Sequence, residues 1–163
     1  MLSETDSGPV TRFLELRIPP VVVFGVFALV MWLIATRFPV FDVIIPFRLA
    51  LTVFLMGTAI ITGTYSFYLL NQVKITVHPN NSTKSSQLVT TGPFKHTRNP
   101  MYLALSLILI SWGIFLSDLL ALMLMPAYYA YMTRLQIIPE ERELCAGFGE
   151  DYKDYADRTP RWL

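Results

Sequence analysis

The sequence predicts an all-α integral membrane protein with four transmembrane helices and a C-terminal interfacial helical segment. Hydrophobic residues make up 53% of the 163-residue chain, whereas 13 residues are Lys or Arg and 12 are Asp or Glu. The mean hydropathy of +0.47 is high for a water-soluble domain of this size. Long charge-free stretches divide the chain, and a membrane-spanning helix needs about 20 mostly apolar residues. We therefore predict a single transmembrane domain that covers residues 1–163.

The composition also excludes several classes of protein. A chain with so many apolar and so few charged residues is not intrinsically disordered. Its net charge of +1 lacks the basic excess that phosphate contacts need, so we predict no nucleic-acid partner. The single cysteine, Cys145, cannot form an internal disulfide, and the sequence contains no Cys/His spacing typical of a metal site.

Four charge-poor stretches give the predicted spans in chain order: 18–36, 49–73, 99–117 and 119–138. The fourth contains Arg134 and Gln136, whose side chains must reach the headgroups by snorkelling. Four buried helices of a soluble protein are the alternative, but too little polar sequence remains to coat such a core. Ser117 and Asp118 form a polar turn, which predicts that the third and fourth spans are an antiparallel hairpin.

The basic residues predict the orientation of these spans. Eleven Lys or Arg fall on the side of the two termini, and only Arg37 and Arg48 fall on the other side. Cytoplasmic loops of membrane proteins carry an excess of Lys and Arg. We therefore predict that both termini are cytoplasmic and that the protein lies in the cell inner membrane or an endomembrane.

The segment 88–102 carries the first set of candidate site residues. Asn99 reads as an N-cap and Pro100 as the first helical residue, where its missing N–H costs nothing. Arg98 then lies beside the positive end of a helix, which suits an anionic group. Tyr102 follows one turn later and faces the same side. Taken alone, Arg98 reads as ordinary flank charge and His96 as a solvated loop residue. The rigid turn predicted at Gly92-Pro93 and the cap together favour a positioned site.

The segment 138–155 carries the second set. Pro139 kinks or ends the fourth span, which places Glu140 and Glu141 in the first turn that follows. A capping turn with solvated acids is as common as a functional pair at such a place. Apolar side chains then recur with helical spacing, which predicts one packed face: Leu144, Phe148, Tyr152 and Tyr155. Arg161 and Trp162 read as an interfacial anchor.

Three motifs combine in this chain: Gly92-Pro93-Phe94, Arg98-Asn99-Pro100-x-Tyr102, and Glu140-Glu141-x-x-Leu144-x-x-x-Phe148-Gly149-x-x-Tyr152-x-x-Tyr155. Together they resemble the isoprenylcysteine carboxyl methyltransferase and phospholipid methyltransferase superfamily. Residues 14–20 and Met31-Trp32 are similar to the first span of its small prokaryotic members. The resemblance covers most of the chain and is strongest over 88–163.

The resemblance implies an integral membrane methyltransferase that uses S-adenosyl-L-methionine and takes a small or lipophilic acceptor, or a membrane lipid, from the bilayer. It implies a cofactor site formed by six residues: His96, Arg98, Asn99, Pro100, Glu140 and Glu141. We predict catalytic roles for Arg98, Tyr102 and Glu141, and no metal. Asn99 stands where the family more commonly has His, and the glycine pair that phospholipid methyltransferases show ahead of the acidic pair is not evident.

Two other functions are compatible with the same features. One is an NADPH-dependent membrane reductase of the sterol and steroid type, whose C-terminal half looks similar, although Glu140 and Glu141 fit the methyltransferases better. The other is a non-catalytic membrane protein that binds lipid or a partner. Several methyl acceptors remain open: prenylcysteine, phospholipid amine, fatty acid, thiol and isoprenoid carboxylate.

Overall fold

The computed structural model of the protein describes residues 18–38, 43–76 and 88–163. Several residues used for the orientation prediction, among them Arg12, Arg17 and Lys84, lie outside the described residues. So does the 14–17 part of the family pattern.

The described chain is helical and contains no β-strand, as predicted. A 3-10 turn, Gly92–Lys95, precedes the third long helix, and a π-helical turn, Thr133–Ile137, joins two later helices. The α-helices are α1 (Pro20–Arg37), α2 (Arg48–Thr76), α3 (Pro100–Leu116), α4 (Leu119–Leu122), α5 (Met125–Met132), α6 (Ile138–Phe148) and α7 (Glu150–Arg158).

Two of the four predicted spans are long and apolar enough to cross a membrane. They are α1, with 18 residues, and the first 26 residues of α2, Arg48–Val73. Most of their apolar side chains point away from the protein, as expected for lipid contact. Helix α3 is apolar but has only 17 residues. The fourth predicted span is divided between α4 and α5, where Pro126 has no N–H to donate. Membrane crossing by these last two segments stays a prediction.

Small residues bring α2 and α3 close together. Ala59, Ser66 and Ala104 are buried, and a Cβ atom on Gly63 would lie 3.3 Å from the Cβ of Ala104. Close backbone approach through small residues is typical of helix packing in membranes. Gly92 continues this contact into the turn before α3. Its φ is +62°, and a Cβ atom added to it would lie only 2.9 Å from side-chain carbon atoms of α2, so a larger residue there would strain the backbone and displace those side chains.

The predicted polar turn after α3 is present. Ser117 adopts a left-handed conformation with φ of 57°, and the Asp118 carboxylate accepts a hydrogen bond from the Ala121 N–H at 2.6 Å. The chain then returns along α3 through α4 and α5. The buried core lies between α1, α3, α4 and α5: Val23, Met31, Leu109, Ala121, Met125, Tyr128 and Met132. This return brings the start of α3 next to the start of α6.

Candidate functional site

The start of α3 lies where the sequence predicts it. Pro100 is the first helical residue and Asn99 occupies the cap position. The Asn99 side chain, however, makes no capping hydrogen bond. Its Nδ2 donates instead to the carbonyl oxygen of Arg161 at 2.9 Å. Asn99 therefore occupies the predicted N-cap position, but its side chain bonds to the backbone of Arg161 and not to the first turn of α3.

The start of α6 depends on the π-helical turn before it. The backbone stays right-handed from Met132 to Ile138, so Pro139 does not end the helix. A wider π turn accommodates a residue that cannot donate to the preceding turn, and such turns are frequent at functional sites. Glu140 and Glu141 then lie in the first turn of α6, as predicted.

Glu140 faces Tyr102 across the gap between α6 and α3. The Tyr102 hydroxyl donates to Glu140 Oε2 at 2.8 Å. Burial raises the pKa of Glu140 above its ordinary value, and the hydrogen bond from Tyr102 acts in the opposite direction. Two of the predicted site residues, 38 positions apart in the sequence, thus form one hydrogen-bonded pair.

Glu141 lies between two arginines. Arg161 Nε donates to Oε1 at 3.0 Å, and Arg161 Nη2 donates to Oε2 at 2.6 Å. Arg98 Nη1 is 3.4 Å from Oε1. The side chains of Glu141 and Arg98 are only 11% and 12% exposed, so the cluster is largely removed from water. Arg98 Nε is buried without a hydrogen-bond partner among the residues that the structure describes.

The 159–163 segment packs against the loop that precedes α3. The Arg98 N–H donates to the carbonyl oxygen of Pro160 at 2.9 Å, and Thr97 Oγ1 donates to that of Arg161 at 3.1 Å. Trp162 Nε1 donates to Thr133 Oγ1 in the π turn at 3.1 Å. The predicted place of Arg161 and Trp162 is the membrane interface, whereas the structure gives both side chains partners within the protein.

Helix α7 packs beside the cluster of Arg98, Glu141 and Arg161. Gly149, with φ of +59°, separates it from α6, so the predicted apolar face is split between two helices. Tyr152 and Tyr155 are buried, and the Tyr155 hydroxyl donates to the carbonyl oxygen of Phe94 at 2.7 Å. The pKa of Tyr152 is raised to about 12, chiefly by burial and also by the nearby charge of Glu141, whereas Arg98 acts to lower it. Tyr152 therefore borders the Arg98–Glu141 pair, a placement that the sequence does not predict.

His96 is not part of this cluster. Its side chain is exposed on the loop before α3, as is that of Lys95. The structure therefore brings together Arg98, Glu141 and Arg161, and places the Tyr102–Glu140 pair next to them. Within the described ranges, no group of three or more His, Cys, Asp or Glu side chains is placed to hold a metal ion.

The geometry defines a helical protein with two helices that are long and apolar enough to cross a membrane, and with a buried cluster of paired charges where α3 and α6 begin. The sequence model of the phospholipid methyltransferase family matches residues 46–151, more than half of the chain. The chain belongs to the phospholipid methyltransferase family, and the predicted superfamily resemblance is confirmed. The matched region includes Arg98, Tyr102, Glu140 and Glu141 and ends before Arg161.

One relative is short. A protein of Haemophilus influenzae described as uncharacterized is 36% identical over 63 residues, which are 39% of this chain and 100% of that protein. No solved structure gives a significant match to the chain.

Proposed function

We propose that the protein is an integral membrane methyltransferase that uses S-adenosyl-L-methionine and takes a small or lipophilic acceptor from the bilayer. One observation carries this proposal: charges of both signs are buried side by side where α3 and α6 begin, inside the region that matches the family. The function is assigned to a single domain of residues 1–163, with both termini in the cytoplasm.

The residues of the cluster fit this cofactor. Adenosylmethionine carries a carboxylate, an ammonium group, a sulfonium and ribose hydroxyls, and it supplies the methyl group when bound. Arg98 has a buried Nε without a partner in the described part of the chain, which suits the carboxylate. Glu140 and Glu141 offer carboxylate oxygens for the ammonium group or the ribose hydroxyls. Asn99 and Pro100 fix the backbone next to Arg98, and His96 is exposed on the same loop, outside the cluster.

Positioning is the main catalytic task of these residues. Methyl transfer from a sulfonium is a direct displacement, in which alignment of donor and acceptor alone supplies about 7–11 kcal/mol. Arg98 orients one end of the donor, and Glu141 holds its polar groups. Tyr102 lies in the first turn of α3 and donates a hydrogen bond to Glu140 of α6. We assign it to the side of the site that meets the acceptor.

The test is binding and transfer with the protein purified in detergent. We expect calorimetric titration to detect adenosylmethionine binding and no NADPH binding. A labelled-methyl screen on extracted membrane lipids then identifies the acceptor class. Binding of NADPH in place of adenosylmethionine indicates a reductase, and binding of neither indicates a non-catalytic membrane protein; both outcomes contradict the proposal.

A further inference from the structure

Arg161 makes the tighter of the two contacts with Glu141. Its Nε and Nη2 reach both carboxylate oxygens, at 3.0 and 2.6 Å. Arg98 approaches one oxygen through Nη1 alone, at 3.4 Å. A two-point guanidinium contact fixes the orientation of a carboxylate as well as its position. Arg161 is therefore the principal counter-ion of Glu141, although it lies beyond the residues that match the family.

The backbone of Arg161 is fixed as well as its side chain. Its carbonyl oxygen accepts hydrogen bonds from Thr97 Oγ1 and from Asn99 Nδ2. The preceding carbonyl oxygen, that of Pro160, accepts from the Arg98 N–H. Arg161 thus holds both the loop that carries Arg98 and the Glu141 carboxylate in the first turn of α6, so it sets the distance between them.

Neutralisation of Glu141 by Arg161 has a consequence for Arg98. A buried carboxylate needs a partner, and in the absence of Arg161 it would draw the guanidinium of Arg98 fully into an ion pair. With Arg161 in place, Arg98 keeps a buried Nε that has no partner within the described part of the chain. Nη1 stays paired with Glu141, and Nε is left to donate to a second anion.

We propose that Arg161 is a positioning residue, which holds Glu141 in a fixed orientation and keeps Arg98 available for an anionic group of the ligand. The inference rests on the proposed function, because it assigns both partners to the binding of adenosylmethionine. Arg161 itself does not touch the reacting atoms in this arrangement; it acts through Glu141 and Arg98.

Arg161→Gln and Arg161→Lys test the contact, with Arg158→Gln as the matched control. Arg158 is an exposed arginine three residues earlier, and its Nε donates within α7 to the Asp154 carbonyl oxygen. We expect Arg161→Gln to raise the Kd and KM for adenosylmethionine about 10- to 100-fold and to change the acceptor KM by less than about twofold. Arg161→Lys should recover only part of the loss, because an ammonium group is a single-point donor. Arg158→Gln should bind like wild type.

A double-mutant cycle with Glu141→Gln separates positioning from an independent role. If Arg161 acts through Glu141, the double variant binds adenosylmethionine about as weakly as the weaker single variant. If the fold-losses of affinity in the two single variants multiply in the double variant, the inference is overturned. Wild-type affinity in Arg161→Gln also overturns it. Where Arg161→Gln fails to fold, wild-type affinity in Arg161→Lys does so instead. Equal losses in the KM of cofactor and acceptor indicate general loss of structure and also overturn it. A wild-type protein that does not bind adenosylmethionine overturns the proposed function itself, whereas binding that is unaffected by Arg161 overturns only this inference.

Discussion

Charged residues lie beside both ends of α3, but they have different roles at the two ends. At the end of α3, Arg48 Nη1 donates to Ser117 Oγ at 2.9 Å, and its guanidinium lies 6.0 Å from the Phe115 ring centre. Asp118 accepts from the N–H of Ala121, three residues away. These groups complete a turn and begin a short helix, which makes this end a structural connection.

At the start of α3, three distant segments converge on one carboxylate. Glu141 from α6 meets Arg98 from the loop before α3 and Arg161 from the 159–163 segment. The partners are 43 and 20 positions from Glu141 in the sequence. Charge at the end of an apolar helix is therefore not evidence of a site by itself. Buried charges of both signs, supplied by distant segments, distinguish the site end from the turn end.

The largest expected effect concerns the side of the membrane on which each end lies. Ile44 is 99% exposed beside the turn end, and His96 is exposed at the site end. In a Cys145→Ser background, we expect a membrane-impermeant maleimide to label Ile44→Cys in intact cells and to label His96→Cys only after permeabilisation. This follows from the excess of basic residues on the predicted cytoplasmic side. Labelling of both variants in intact cells contradicts four spans with cytoplasmic termini.

Removal of one arginine at each end should affect activity very unequally. Arg98→Ala removes a buried guanidinium from the cluster, so methyl transfer should fall at least about 100-fold through loss of positioning. Its behaviour in detergent should stay near that of wild type, because Glu141 keeps the two-point contact with Arg161. Rates of labelled-methyl transfer measure the effect.

Arg48→Ala and Lys95→Ala are the controls for this comparison. Both residues are exposed, and exposed charges contribute little to stability. Both variants should retain most of the activity. A loss as large in Lys95→Ala as in Arg98→Ala would mean that general surface charge, rather than a built site, is responsible.

The carboxylates at the two ends of α3 should affect different properties: Glu141 the affinity for adenosylmethionine, and Asp118 the stability of the fold. Glu141→Gln should weaken adenosylmethionine binding by about 1.5–3 kcal/mol, the range for hydrogen bonds to charged groups. Asp118→Ala should leave this affinity unchanged and lower the free energy of unfolding by about 0.5–2 kcal/mol, through loss of a helix cap. Titration calorimetry and thermal unfolding measure the two effects. Unchanged affinity in Glu141→Gln would leave the acidic pair a structural cap.

Local rules predict the parts of this fold that depend on neighbouring residues. The two long apolar helices follow from charge-free sequence, the turn from Ser117-Asp118, and the start of α3 from Asn99-Pro100. In each case the residues that decide the structure lie within a few positions of one another. The placement of Glu140 and Glu141 in the first turn of α6 is predictable for the same reason.

Long-range contacts account for what the sequence does not predict. The pairing of Glu141 with Arg161 and the bond from Asn99 to the Arg161 carbonyl join segments that only the complete fold brings together. An arginine next to a tryptophan predicts a position at the membrane interface, and composition does not show which partners within the protein these side chains also have. The π turn is also not predictable, because Pro139 indicates an interrupted helix without specifying how the backbone accommodates it.

The smallest expected effect is a pH dependence of stability at the Tyr102–Glu140 pair. Burial raises the pKa of Glu140 in the folded protein, so above the ordinary carboxyl pKa of 4.5 the folded state retains a proton that the unfolded chain releases. The stability that this group contributes is fully present below that value and is lost as pH rises through the folded pKa.

Gln at this position stays neutral and can still accept a hydrogen bond from Tyr102. The unfolding midpoint of wild type should therefore fall, relative to Glu140→Gln, as pH is raised above the ordinary carboxyl pKa of 4.5. Glu143→Gln, which changes an exposed carboxylate on the same helix, is the control and should follow wild type. Parallel curves for wild type and Glu140→Gln would show that the folded protein does not retain the proton.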